Sequence, residues 1–292
     1  MIKSMTGYGH FEDTLNMRKI SAEIRSVNHR YTDFTVKVPR QYGFLEDVLR
    51  KEASEIVKRG KVDIYLSIVD YSEDSVMVSA NKELAKSYLK ELKDLSEVLG
   101  VENNVAVTDI ARFPDMFKVD KPPVDEEELT SDVLSVFRKA LELYDKMRKE
   151  EGTRLGEDLL EKGRIIEDYV SKIKERAPFI VEEYAKRLRE GMEEILKKVP
   201  VDEARLLNEV AIFTDRVNVD EEMVRLGSHV KELSTIISGN APAGRKLDFL
   251  VQEINREVNT TGSKSNDVAT TKMVVEMKTE IEKMREQIQN IE

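Results

Sequence analysis

The chain divides by the period of its apolar positions. Ile20, Ala22 and Ile24 alternate with Ser21, Glu23 and Arg25. Phe34, Val36 and Val38 alternate with Thr35 and Lys37, and Val62, Ile64, Leu66 and Ile68 repeat the pattern. A period of two with polar residues between predicts strands half-buried in a sheet. Pro39 closes the second strand. Phe44, Val48, Leu49, Ala53, Ile56 and Val57 then keep a helical period that Arg59-Gly60 ends. Residues 1–72 are therefore expected to be strands with one helix packed on a face.

Beyond them the period is helical almost throughout. Leu84, Tyr88, Leu92, Leu95 and Leu99 mark an amphipathic helix over 80–100 that Gly100 stops. Thr108 to Pro114 reads as a capped single turn. Lys121-Pro122-Pro123-Val124-Asp125 is a stiff, extended linker, and the domain boundary is placed there. From Glu126 to Arg176 the apolar residues keep the helical period. Gly152, Gly156 and Gly163 weaken that stretch, making Gly152 the candidate break. Pro178 is expected to start another long helix and Pro200 to end it. Thr260 to Asp267, rich in hydroxyls and glycine, is expected to interrupt the last helical stretch. The fold class is α+β: an N-terminal sheet-containing domain (1–120), a long helical arm region (126–200) and a helical C-terminal domain (201–292). Long helices with polar flanks pack as hairpins or as arms against other subunits.

Candidate chemistry concentrates after Pro200. Leu247, Leu250, Val251, Ile254 and Val258 form one apolar face, with Asp248, Gln252, Glu253, Asn255, Arg256, Glu257 and Asn259 around it. Glu253 and Glu257 are four apart and share a face, an arrangement that repels by a few tenths of a kcal/mol. Either a cation sits between them, or Arg256 and solvent satisfy them. Glu222 and His229 share a face of the preceding helix, with Asp215 and Glu209 upstream. Oxygen ligands with one imidazole suit Mn²⁺ or Mg²⁺ better than structural Zn²⁺. Glu222, His229, Glu253, Glu257 and Asp215 are the candidate metal ligands. Glu253, Glu257, His229 and Arg256 are the candidate catalytic residues.

The basic candidates lie in two places. Arg25, Arg30 and Arg59 punctuate the sheet region among Tyr31, Phe34 and Tyr42, a pattern that either holds single-stranded nucleic acid or solvates a sheet face. Arg245 and Lys246 open a helix where its dipole does not favour cations, which suits a phosphate seat. Arg256 and Lys264 join them as phosphate candidates in the C-terminal part. The net charge is −10, which argues against indiscriminate coating of nucleic acid. Residues 1–72 are slightly basic and the acidic excess lies beyond them. Cysteine is absent, which excludes disulfides and thiolate chemistry. No run is apolar enough to span a membrane and no signal peptide opens the chain, so a cytoplasmic protein is expected.

Met5-Thr6-Gly7-Tyr8-Gly9, Arg25-Ser26-Val27-Asn28 with Arg30, and Arg59-Gly60-Lys61-Val62 resemble motifs of the YicC/YloC family of endoribonucleases. So do Arg245-Lys246-Leu247-Asp248-Phe249, Asn255-Arg256-Glu257, Ser263-Lys264 and the terminal run from Arg285 to Glu292. The resemblance covers essentially the whole chain. It implies a cytoplasmic, metal-dependent ribonuclease acting on single-stranded or structured RNA, Mn²⁺ ahead of Mg²⁺, assembled as a homohexamer. It does not settle the catalytic residues, which rest on the acidic cluster above. The alternative is a non-catalytic oligomeric RNA-binding scaffold acting through partner nucleases.

Overall fold

A computed structural model describes residues 2–29, 31–71, 77–120, 125–197, 200–239 and 243–292. Arg30, the linker residues 121–124 and the loop residues 240–242 lie outside the described residues. The architecture is α+β: a four-stranded sheet with a helix, then a mostly helical remainder.

The strands are β1 (Gly7–Leu15), β2 (Arg18–Val27), β3 (Thr32–Lys37) and β4 (Gly60–Asp70), in spatial order β1-β2-β4-β3. β1 with β2 and β2 with β4 are antiparallel, while β3 runs parallel to β4. A parallel neighbour needs a crossover, and helix α1 (Leu45–Ile56) supplies it. The period-two residues Ile20, Ala22, Ile24, Val62, Ile64 and Leu66 all point into one core. β1 was not expected as a strand, because Gly7, Gly9 and charged side chains interrupt its alternation. Its glycines have a packing reason. A Cβ on Gly9 would run into the carbonyl of Ala140, and one on Gly7 into Tyr144 and Arg148.

Those contacts belong to α4 (Glu126–Leu196), a single helix of 71 residues. It corrects two expectations. No break occurs near Gly152, because Gly152, Gly156 and Gly163 face close neighbours: the backbone of Ile2 and Lys3 against Gly152, Ile2 and Ile237 against Gly156, and Leu233 against Gly163. Pro178 lies inside the helix instead of starting a new one. An internal proline costs about 3 kcal/mol or more. Ile173 and Ile180 are buried on either side of it, and burying such a side chain is worth about 1.5–3 kcal/mol.

The N-terminal half of α4 lies on the sheet, where Leu129, Val133, Phe137, Leu141 and Tyr144 complete its core. The second half, with Leu159, Ile166, Val170 and Ile173, joins a separate core with α6 (Asp220–Ser238), α7 (Gly244–Lys264) and α8 (Val268–Ile288). The expected interruption falls at 265–267, between α7 and α8, while Thr260 to Lys264 stay in α7, where buried Thr261 donates its hydroxyl to the Glu257 carbonyl. α5 (Glu203–Val217) stacks Phe213 on Tyr184 of α4, with centroids 3.6 Å apart. A small ribbon of β5 (Met77–Ala80) and β6 (Phe117–Asp120) carries α2 (Lys82–Leu99) and α3 (Val107–Ile110). α2 is amphipathic as expected, yet buries none of its side chains.

The two ends of the chain meet on α4. Met5 N donates to Asn290 O at 2.8 Å, Glu292 N to Lys3 O at 2.9 Å, and Ser4 N to Arg148 O at 3.0 Å. Arg148, fully buried, donates through Nε to Ser4 O at 2.6 Å and pairs with the Glu292 carboxylate. Beside it Tyr144 donates to Ser26 at 2.8 Å, and burial pushes its phenol above the usual range.

Candidate nucleic-acid interface

The acidic candidates occupy neighbouring helices but do not gather. Glu222 of α6 is buried and its Oε1 accepts from Lys264 Nζ at 2.7 Å, while its buried Oε2 has no hydrogen-bond partner among the described residues. Glu257 of α7 is buried and accepts from Arg225 at 3.4 Å. Arg225 also holds Glu221, and the two carboxylates raise its pKa, Glu221 most. Glu253 is half-buried, 3.9 Å from Arg256. His229 is half-buried on α6, while Asp215 and Glu209 are exposed on α5. Among the described residues, no three His, Asp or Glu side chains come together to hold a metal ion. The donor set does not fit a preformed ion site. Helical spacing pairs Glu253 with Glu257 and Glu222 with His229 along their own helices. It could not show that a lysine or arginine from a neighbouring turn or helix would meet them.

A different constellation does assemble. Where the sheet meets the C-terminal helices there is a cleft of about 600 Å³. Arg59 enters it from the turn before β4, Arg245 from the first turn of α7, and Arg285 from the end of α8. Tyr31, Asp248, Gln252 and Gln289 line it too. Two glycines make this convergence possible. Gly60 holds φ at +112°, a region open chiefly to glycine, and so sets the turn that presents Arg59. Gly244 lies directly against the Ile291 carbonyl, where any Cβ would collide. The start of α7 is thus pressed onto the strand-like end of the chain, which Arg148 and Ser4 hold in place.

The cleft is electropositive. Arg59 Nε reaches the His29 carbonyl at 3.4 Å, and Arg285 is 4.0 Å from Glu282. Arg245 makes no ion pair among the described residues. The first turn of α7 has no acidic residue and no side-chain cap, so its free N–H groups add a partial positive charge. Among the described residues Asp248 is the one carboxylate of the wall, and it accepts from Gln252 Nε2 at 3.0 Å. Guanidinium groups beside a helix N-terminus form a seat for phosphate oxygens.

Of the basic candidates, Arg59 and Arg245 meet here. Lys246 is exposed beside Arg245 but outside the wall. Arg25 sits on the outer face of the sheet, 3.3 Å from Asp63 and within reach of the Tyr65 ring. Lys264 is at the opposite end of α7, tied to Glu222. Arg256 is exposed on α7, eleven residues beyond Arg245. Tyr31, expected among the aromatics of the basic sheet region, lines the cleft, whereas Arg285, Asp248 and Gln252 were missed as site residues. The terminal run containing Arg285 was itself a motif, and that was the available signal.

Residues 2–157 match the family described as endoribonuclease YicC-like, N-terminal region, and residues 173–292 match endoribonuclease YicC-like, C-terminal. The chain belongs to the YicC-like family. It is 38% identical over 293 residues to a "Probable endoribonuclease YicC" of Clostridioides difficile (strain 630), covering 100% of both chains. It is 33% identical over 292 residues to the protein of the same name from Haemophilus influenzae, again over 100% of both. The first YicC-like region ends and the second begins within α4, the helix that belongs to both cores.

Proposed function

We propose that this protein is an endoribonuclease that seats the RNA backbone in the Arg59–Arg245–Arg285 cleft and hydrolyses an internal phosphodiester. The observation that carries the reading is the convergence of three arginines, from three distant segments, on one cleft at a helix N-terminus. The names of its relatives support it. Of the candidate carboxylates on α6 and α7, Glu253, half-buried and 3.9 Å from Arg256, is the most loosely paired, and it is proposed for proton transfer. Dependence on a divalent ion, Mn²⁺ ahead of Mg²⁺, is part of the proposal. Such ions take much of their shell from water and substrate phosphate, so a preformed protein cage is not required. The enzyme is proposed to act in the cytoplasm as a homo-oligomer, a hexamer by its family resemblance. The exposed Leu95, Val98 and Leu99 of α2 support self-association.

The test is cleavage of a short labelled RNA with Mn²⁺, with Mg²⁺ and with EDTA. Internal cuts that need the ion and fall sharply in Glu253→Gln are expected. Binding without cutting under every condition would favour a scaffold instead. Binding itself should weaken with salt. Three phosphate contacts on a single strand give a slope of log K against log salt of about −2, relaxing to about −1.4 in Arg245→Ala. A slope unmoved by that substitution would remove Arg245 from the phosphate seat.

A further inference from the structure

We infer that the cleft takes an unpaired stretch of RNA, with Tyr31 and Phe249 as stacking platforms for its bases. The inference rests on the endoribonuclease reading and narrows its substrate.

Tyr31 is 64% exposed and Phe249 65% exposed. Single exposed apolar residues are ordinary on protein surfaces, so exposure alone decides nothing. Position does. Tyr31 stands in the cleft wall with the arginines. Its ring meets His29 edge-on at 6.4 Å, and His29 Nδ1 lies 3.1 Å from the Tyr31 carbonyl, so the loop that carries the ring is braced. Phe249 follows Asp248 of the wall and lies one turn beyond Arg245 on α7. It is not a stray from the apolar face of α7, whose buried side is formed by Leu247, Leu250, Val251, Ile254 and Val258.

Phe249 belongs instead to the opposite stripe: Arg245, Phe249, Gln252 and Arg256, at steps of four, three and four. All four are exposed. The stripe runs about 16 Å along the helix, the length of a few nucleotides. Cation, ring, amide and cation in a row is the alternation that follows a single strand, with phosphates on the cations and bases on the ring. A duplex cannot use it, because its bases are stacked on each other and show no free faces. Asp248 points the same way. A carboxylate repels phosphate, but it accepts hydrogen bonds from base amino groups. Its place in a wall shared with three arginines fits a base turned out of the stack.

The experiment uses the full-length protein in EDTA, so that binding is read without cleavage. The probes are a ten-nucleotide single-stranded RNA carrying one 2-aminopurine and the same strand annealed to its complement. Stacking on a ring quenches the 2-aminopurine. Tight binding and quenching are expected for the single strand, with at least tenfold weaker binding of the duplex. Tyr31→Ala and Phe249→Ala should each weaken the single strand roughly five- to hundredfold and relieve quenching, whereas Tyr31→Phe and Phe249→Tyr, which keep the ring, should restore both. Unchanged unfolding midpoints will show that the variants fold.

Equal affinity for duplex and single strand would overturn the inference, as would single-strand binding indifferent to both alanine variants. A Phe249→Ala protein with altered mass in solution but unchanged RNA affinity would overturn it in favour of a second copy of the chain on this stripe. Failure of the wild-type protein to bind either RNA in EDTA, and to bind or cut either with Mn²⁺, would take down the endoribonuclease reading as well, which separates the two.

Discussion

At the residue scale, single side chains and single missing side chains carry specific duties. Gly9 is the plainest case. β1 can lie against α4 only because nothing projects from Gly9 toward the Ala140 carbonyl. Gly9→Ala should destabilise the protein by about 1–3 kcal/mol, the usual penalty of overpacking, read as a lower urea midpoint. An unchanged midpoint would mean that the strand can move away from the helix without loss. The opening Gly7-Tyr8-Gly9 motif thus has a packing explanation within the fold, independent of chemistry. Arg245 is the converse: an exposed side chain with no ion pair among the described residues, poised for an outside partner.

At the element scale, the helices are held by charges at their ends. Asp267 caps α8 by accepting from Thr270 N at 2.9 Å, and it binds Arg176 of α4 at 3.0 Å. The Arg176 guanidinium holds its carboxyl below the ordinary 3.8. A carboxylate with a depressed folded pKa stabilises the fold fully above its unfolded value and loses that contribution as pH falls through the folded one. Urea midpoints of the wild type should therefore fall on acidification below about pH 4. Asp267→Asn, which keeps the cap but not the charge, should be less stable at pH 7 and show a shallower acid loss. Parallel pH profiles for the two proteins would contradict this. The long helix α4 shows why element boundaries misled. Glycine and proline read as breakers in a solitary helix, yet here the glycines meet close neighbours from outside the helix and the proline is flanked by burial.

At the scale of the whole molecule, α4 joins two cores, and the two ends of the chain are zipped together across it. Arg148 and Glu292 lock that seam, and the seam forms one wall of the cleft. Glu292→Gln should cost about 3–5 kcal/mol by leaving a buried guanidinium without its counter-charge. Adding Arg148→Met should recover much of it, a coupling that a double-mutant cycle of urea midpoints will measure. Additive losses would show that the two residues act apart. Among the described residues, no helix is long and apolar enough to cross a membrane. The α+β class, the three two-period strands, helix α1 and the apolar face of α7 were legible from periodicity, because burial follows local spacing. So was the family, because its motifs are contiguous. The site was not. Arg59, Arg245 and Arg285 lie far apart in sequence, and only packing brings them together. Glu222 shares a helix face with His229 and Glu257 with Glu253, which made them candidate ligands, but Lys264 and Arg225 reach them across a helix interface. Local physics sets which face of each element is apolar. Which charged groups meet is decided by the contacts between elements, where an unpaired charge is most expensive and finds its partner.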